Sequence, residues 1–420
     1  MIFLTTHFHI LNNNKEYKKV LFISSLNLSL NPRIVKEIKL ARSLNFKIEF
    51  IGFNISSWAN DLDLEIKEQL PEVTIKYISA TRKPFFPWFF SAIIEYSCKL
   101  IYPLFKNSLK VNAYASTKRT YLLDKFLKSK PNGHYDFIIA HTITTLYAVK
   151  QYAQKIGKPF AFDVEDYHPG EKIQMDIINE KQRRERLLRE ILPLASYVST
   201  ASPLINESIK KLTTVDPLTI LNYFPKNEFL PPINSSGNKL KLIWFSQNIN
   251  ARRGLELVLS SWDKLKFNFQ LTLIGKLDND FHEKYISKHH DIIIKGPLLQ
   301  EDLHKELFLY DIGLAIDVDK DDYNRSIAIT NKMLAYFQAG LYIVATDTPA
   351  QQEFIKINPD HGVMVKQDSI SMFNALSNIF ECKKEIRKNS ELRFVHASLF
   401  SWETESEKLE YVWRKLNIAV

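Results

Sequence analysis

Short apolar runs alternate with helical spacings along most of the chain. Lys19 to Ser24, Lys47 to Phe53, Val73 to Ser79, Phe137 to Ala140, Phe160 to Asp163 and Tyr197 to Thr200 are strand-length runs. Runs of this kind suit buried parallel strands. Asn31-Pro32 reads as a helix start, with Asn capping and Pro in the first turn, and Ile34, Ile38 and Ala41 follow at helical spacing. Leu146, Val149, Ala153 and Ile156 make another helical face, which Gly157 ends. Loop-like composition at Pro231, Pro232, Ser235, Ser236 and Gly237 interrupts the rhythm. It then restarts with Leu240 to Phe245, Gln270 to Ile274, Ile292 to Lys295, Ile312 to Ile316, Tyr342 to Ala345 and Val363 to Val365. The pattern predicts two α/β domains with mainly parallel sheets, residues 1–230 and 231–400. An amphipathic helix over Trp402 to Leu416 lies in the remaining stretch, 401–420.

With 420 residues, 45% hydrophobic and 25% charged, the composition excludes a disordered or collagen-like chain and a disulfide-stapled miniprotein. Two cysteines, Cys98 and Cys382, fit a reducing compartment such as the cytoplasm. The most apolar long stretch, Pro84 to Phe105, is interrupted by Glu95 and Lys99, so no transmembrane helix is expected. The first ten residues lack a basic leader and read as a ragged extension rather than a signal peptide.

The net charge of +9 is concentrated. Ten basic residues lie between Thr81 and Lys130, opposed only by Glu95 and Asp124, and eleven aromatics share that segment. Such a segment suits an anionic membrane surface, peripheral to the inner face of the membrane. The alternative is a set of helices that pack their aromatics inward and leave lysines in solvent. No recognised nucleic-acid motif accompanies the charge, so nucleic acid is not expected as a partner.

In open parallel sheets ligands bind beyond the carboxyl ends of the strands. After the first strand, Ser24 to Arg33 contains no glycine, which argues against a dinucleotide fingerprint and a P-loop. That polar loop, with Asn31 and Arg33, suits a hydroxyl-rich ligand. His141 and the group Glu165, Asp166 and His168 follow two further strands, where they can hydrogen-bond sugar hydroxyls or move a proton. In the second half, Gln247 to Glu256 joins a strand to a helix, with Arg253-Gly254 at the expected helix start, a setting for an anion. Thr330 or Asn331 can cap the next such helix, and Lys332 lies in its first turn, where it opposes the helix dipole unless a phosphate sits between. The run Asp317 to Asp322 mimics half a calcium loop but lacks the glycine and the closing glutamate, so no metal site is expected.

These residues resemble a known group. Asn31-Pro32-Arg33, Asp163 to Asp166, Ser246 to Glu256 and Asn331 to Thr346 are similar to segments of GT-B-type retaining glycosyltransferases, family 4, over Lys19 to about Trp413. The resemblance implies two Rossmann-like domains facing a cleft, an N-terminal acceptor domain, a C-terminal nucleotide-sugar domain and a final helix returning to the first. It implies a hexosyltransferase-like, metal-independent transfer from a nucleotide diphosphate sugar to a carbohydrate or lipid-linked acceptor in surface polysaccharide or glycolipid assembly, with no further cofactor. By position Arg253 then matches the phosphate-binding basic residue, with Lys332 a second candidate from its place in the helix; Gln247, Gly254, Thr330 and Asn331 sit on the donor side. His141, Glu165 and Asp166 line the acceptor side as candidate catalytic groups, beside Asn31, Arg33 and His168. Two features depart from the pattern. Gln247 stands where the family often has Arg, and Ile327 and Ala335 stand where it has two glutamates. The missing glutamates keep one rival open, a GT-B-like nucleotide-sugar-binding subunit without turnover, and a nucleotide-sugar epimerase, which can share this fold, is a second.

Overall fold

A computed structural model describes residues 18–55, 59–130, 135–233, 237–318, 322–416 and 418. The expected N-terminal extension, the loop signals at Ser235 and Ser236, and Asp319 to Asp321 of the acidic loop lie outside them. Seven parallel strands form the first sheet: β1 (Lys19–Ile23), β2 (Lys47–Asn54), β3 (Thr74–Ser79), β4 (Phe137–His141), β5 (Phe160–Val164), β6 (Val198–Thr200) and β7 (Leu218–Thr219), in the order β3-β2-β1-β4-β5-β6-β7. Six form the second: β8 (Leu240–Ile249), β9 (Phe269–Leu277), β10 (Ile293–Lys295), β11 (Ile312–Ala315), β12 (Tyr342–Thr346) and β13 (Gly362–Val365), in the order β10-β9-β8-β11-β12-β13. Both are doubly wound α/β sheets whose strand order reverses once, between β1 and β4 and between β8 and β11. Those reversals open the crevices in which such folds bind ligands.

The strands form where the apolar runs predict them because both sheet faces are covered; every residue of β4 and β5 is buried. Asn31 caps the helix Pro32–Ser43 by accepting from the Ile34 amide at 3.1 Å. Gly157 closes the helix Ile143–Ile156 with φ of 63°, a left-handed conformation that costs glycine nothing. The glycine-free loop after β1 is stitched by side chains: Asn27 donates to Asp63 at 2.8 Å and accepts from the Ile55 amide at 3.0 Å. β7, only two residues long, carries no periodicity and was not legible in the sequence.

The chain crosses between the sheets at Leu221 to Phe224. Tyr223, Phe224 and Phe229 already pack in a core with Met333, Tyr336 and Phe337, ahead of the boundary expected at Pro231. Lys36 anchors the crossing by donating to the carbonyls of Asn222 at 3.2 Å and Tyr223 at 2.6 Å. The helix Trp402–Lys415 runs back to the first sheet, where Leu409 and Trp413 pack with Val20 and Phe22, and Trp413 Nε1 donates to Tyr197 at 2.8 Å.

Candidate functional site

The candidate residues lie just beyond the carboxyl ends of strands in both sheets. In the first domain the ends of β1 and β4 are tied together: the Thr142 hydroxyl donates to Ser25 Oγ at 2.8 Å and accepts from the Ser25 amide at 3.3 Å. Thr142 has φ of 68°, an uncommon conformation for a β-branched residue and a form of strain that clusters at functional sites.

Beneath this floor lies a buried ionic network. Arg33 grips Asp163 with two bonds of 2.8 Å and donates a third to the Ile220 carbonyl at 2.8 Å. Ser199 Oγ donates to Asp163 at 2.5 Å. His141 Nε2 lies 3.1 Å from Glu37 Oε2, and its Nδ1 is 3.5 Å from Asp163. Burial opposes protonation of His141, but Glu37, then Asp163 and Glu165, outweigh it and raise its pKa above the ordinary value. Glu37, His141 and Asp163 could be grouped as metal ligands, with donor atoms within 4.8 Å of one another. The bidentate Arg33 already fills the Asp163 carboxylate, so the cluster reads as a charge-balanced network. Arg33 and Asn31, expected on the acceptor side, are fully buried and their side chains serve the fold.

Above the network, Glu165 follows β5 with no hydrogen bond or ion pair among the described residues, and is partly exposed. Burial first, then Asp166 and Asp163, push its pKa up to about 7. Asp166 accepts from Asn324 at 2.8 Å, and Asn324 Oδ1 accepts from the Tyr167 amide at 2.7 Å. Burial raises the Asp166 pKa as well. His168 is held by Glu171 at 2.8 Å, which Arg184 braces at 2.7 Å, so it stands one step back from Glu165.

The second domain supplies cations. Arg253 follows β8 and makes no hydrogen bond or ion pair among the described residues; burial first, then Arg325, lower its pKa. Lys332 is buried, 4.9 Å above the Trp244 ring and 3.8 Å from Asp317. Its pKa is lowered by burial, and by Arg253 and Arg325, against the pull of Asp317. Arg325 donates to the carbonyls of Val318 at 3.1 Å and Arg252 at 3.3 Å. Arg253, Arg325 and Lys332 therefore lie close enough to act on one another, beside Asp317. Such a grouping of positive charge favours an anion. Asp317 is fixed in turn by Gln351 at 2.9 Å.

The helix Tyr323–Ile327 joins the two halves. Asn324 holds Asp166, Tyr323 meets Tyr167 edge-on at 5.9 Å, and Arg325 on the same helix belongs to the cation group. Thr330, rather than Asn331, holds the cap position of the helix Asn331–Gln338; its hydroxyl is buried and unpartnered among the described residues. Asn331 is drawn away to Asn222 at 2.7 Å in the crossing segment. Gln247 is exposed, in the register shift between Phe245 and Asn248 of β8. Ile327 packs into the first domain's core and Ala335 into the second's, so apolar contacts occupy both positions at which the family resemblance has glutamates. Arg325, Asn324 and Glu37 were missed in the sequence, and Asp317 entered it only as the start of an acidic run with no metal site expected. Arg325 lies in a five-residue helix with no periodicity, and Glu37 on a helix face that looked like any solvated position.

Gly254 sets how closely the Arg253 loop approaches β11. It has φ of 85°, and a Cβ there would meet the Ile316 carbonyl oxygen at 2.6 Å. Gly254→Ala is expected to cost about 1–3 kcal/mol, read as a lowered melting temperature of the second domain.

No family model and no curated protein matches the sequence. Solved structures do match the fold. Sucrose-phosphate synthase of Thermosynechococcus elongatus superposes with a TM-score of 0.65 at 13% identity, over 96% of this chain and 100% of that one. HepE of Anabaena, in complex with UDP, gives 0.63 at 11% identity, over 94% and 100%. The lipopolysaccharide outer core galactosyltransferase WaaB gives 0.57 at 14% identity, over 94% and 99%. The two parallel sheets and these likenesses define the fold class as GT-B. Among the described residues no helix is long and apolar enough to cross a membrane.

Proposed function

We propose that the protein is a glycosyltransferase that moves a sugar from a nucleotide diphosphate donor to a hydroxyl of a carbohydrate or lipid-linked acceptor. The observation that carries this is the grouping of Arg253, Arg325 and Lys332 beside Asp317, on the side of the helix Tyr323–Ile327 that is tied through Asn324 to the Glu165–Asp166 loop, where Glu165 is unpartnered among the described residues. The cations hold the diphosphate and stabilise the charge that grows on it as the sugar leaves. The unpartnered Thr330 hydroxyl donates to the same anion. Glu165 takes the acceptor proton, with Asp166 beside it fixing the loop to the second domain. A single displacement with Glu165 as base would invert the anomeric centre, whereas the family resemblance implies retention; the product anomer, read by NMR, decides between them.

Arg253→Ala is expected to weaken nucleoside diphosphate binding by about 10–150-fold, the loss of one charged hydrogen-bonding partner. Calorimetric titration checks it. The function itself is tested by supplying nucleotide sugars with glycan and lipid-linked acceptors and following release of the nucleoside diphosphate. Transfer that requires an acceptor supports the reading. Product formed without acceptor would identify an epimerase. The apolar side chains of Ile327 and Ala335 favour one rival, a nucleotide-sugar-binding subunit; binding with no turnover across the acceptor panel would establish that instead.

A further inference from the structure

The helix Phe85–Ile101 has its faces reversed. Trp88, Ser91, Glu95 and Cys98 repeat at steps of three and four and turn toward the domain. Ser91 is buried, Cys98 packs against the core, and Glu95 accepts from the Lys118 amide at 2.8 Å. Trp88 lies between Arg82, 5.4 Å from its ring, and Lys118, 4.9 Å away. Phe86, Phe89, Phe90, Ile93 and Leu100 repeat on the opposite side and are exposed, Phe86 to 71%, and Leu104 just beyond the helix reaches 83%. A helix of a soluble domain turns its apolar stripe to the core, and a contiguous exposed apolar patch marks an interaction surface. Here nothing among the described residues covers it.

The charges around the stripe say what fits it. Arg82 and Lys83 precede it, and Lys99, Lys106 and Lys110 follow, all exposed. The only acid between Thr81 and Leu123 is Glu95, and it faces inward. We propose that this stripe rests in an anionic lipid bilayer surface, with the helix in the membrane plane, the phenylalanines among the acyl chains and the basic residues at the headgroups. The surface is continuous with the cleft mouth: Arg119, beside Lys118, donates to the Ser25 carbonyl at 2.8 Å, at the end of β1. Docking therefore brings the acceptor side of the cleft close to the lipid. The membrane contact stands apart from the transferase reading, and nucleotide binding in solution reports on the latter separately.

Flotation with phosphatidylcholine vesicles, with and without one third phosphatidylglycerol, tests it on the full chain. The wild type is expected to bind the anionic vesicles roughly tenfold or more above the neutral ones, with the difference falling as salt rises. Phe86→Ser/Phe89→Ser/Phe90→Ser, all outward positions, is expected to lose binding roughly tenfold or more while keeping its melting temperature and nucleotide affinity. Arg82→Glu/Lys83→Glu/Lys106→Glu is expected to lose the preference for anionic lipid. Absence of wild-type binding to either vesicle would overturn the proposal, as would undiminished binding by the phenylalanine variant. A monomer–dimer equilibrium abolished by that variant would also overturn it, because a second copy would then be the occupant.

Discussion

Glu165→Gln is expected to lower turnover by about 10²–10⁴-fold and leave nucleoside diphosphate affinity unchanged. Glu165 stands just beyond β5 with no protein partner among the described residues, and a pKa of about 7. That value suits a base working near neutral pH. As base it is active when ionised, so wild-type turnover should rise as pH passes upward through about 7. The glutamine variant keeps the shape but cannot titrate, so this limb should vanish from its profile. A variant that instead loses donor affinity would place Glu165 on the donor side. The same shift bears on stability. A carboxyl whose folded pKa is raised stabilises the fold fully below its unfolded value of about 4.3, and that contribution is lost as pH rises through about 7.

Arg33→Ala should be the most damaging single change to the fold. Removing one partner from a buried ion pair costs about 3–5 kcal/mol, because the other charge is left without compensation. Here it strands Asp163, which loses both 2.8 Å bonds, and leaves the Asp163 and Glu37 carboxylates with only His141 between them in the network. In a domain of this size that corresponds to a fall of about 6–20 °C in the first domain's melting temperature. Arg33→Lys should recover little of it, since an ammonium cannot reproduce the two-pronged grip. A melting temperature within a degree of wild type, with a raised acceptor KM, would return Arg33 to the acceptor side.

The contrast between Arg33 and Glu165 shows what the sequence conveys. The strand ends were readable because a parallel sheet with both faces buried needs apolar runs, and polar residues must gather where those runs stop. That singled out Glu165 and Arg253 just beyond strands, and also His141, which is instead sealed in the network with Glu37 and Asp163. The depth of each residue below the cleft surface has no one-dimensional signature. Arg33 and Glu165 both follow the same pattern of a charge near a strand end, yet one is sealed beneath the floor and the other is partly exposed. Arg325 was invisible for a different reason: its role depends on a five-residue helix that spans the two domains. The basic aromatic segment gave its composition in the sequence but not its faces, and the outward turn of Phe86, Phe89 and Phe90 required the structure.

The decisive measurement is a titration of the common nucleoside diphosphates and their sugars into the wild type beside Arg253→Ala, followed by calorimetry or thermal shift. At a hundred times its dissociation constant a ligand should stabilise the protein by about 2.7 kcal/mol. Binding of one nucleotide series, weakened strongly in the variant, is the predicted result. Absence of binding by every nucleotide, or binding that Arg253→Ala leaves untouched, would contradict a diphosphate site at Arg253, Arg325 and Lys332.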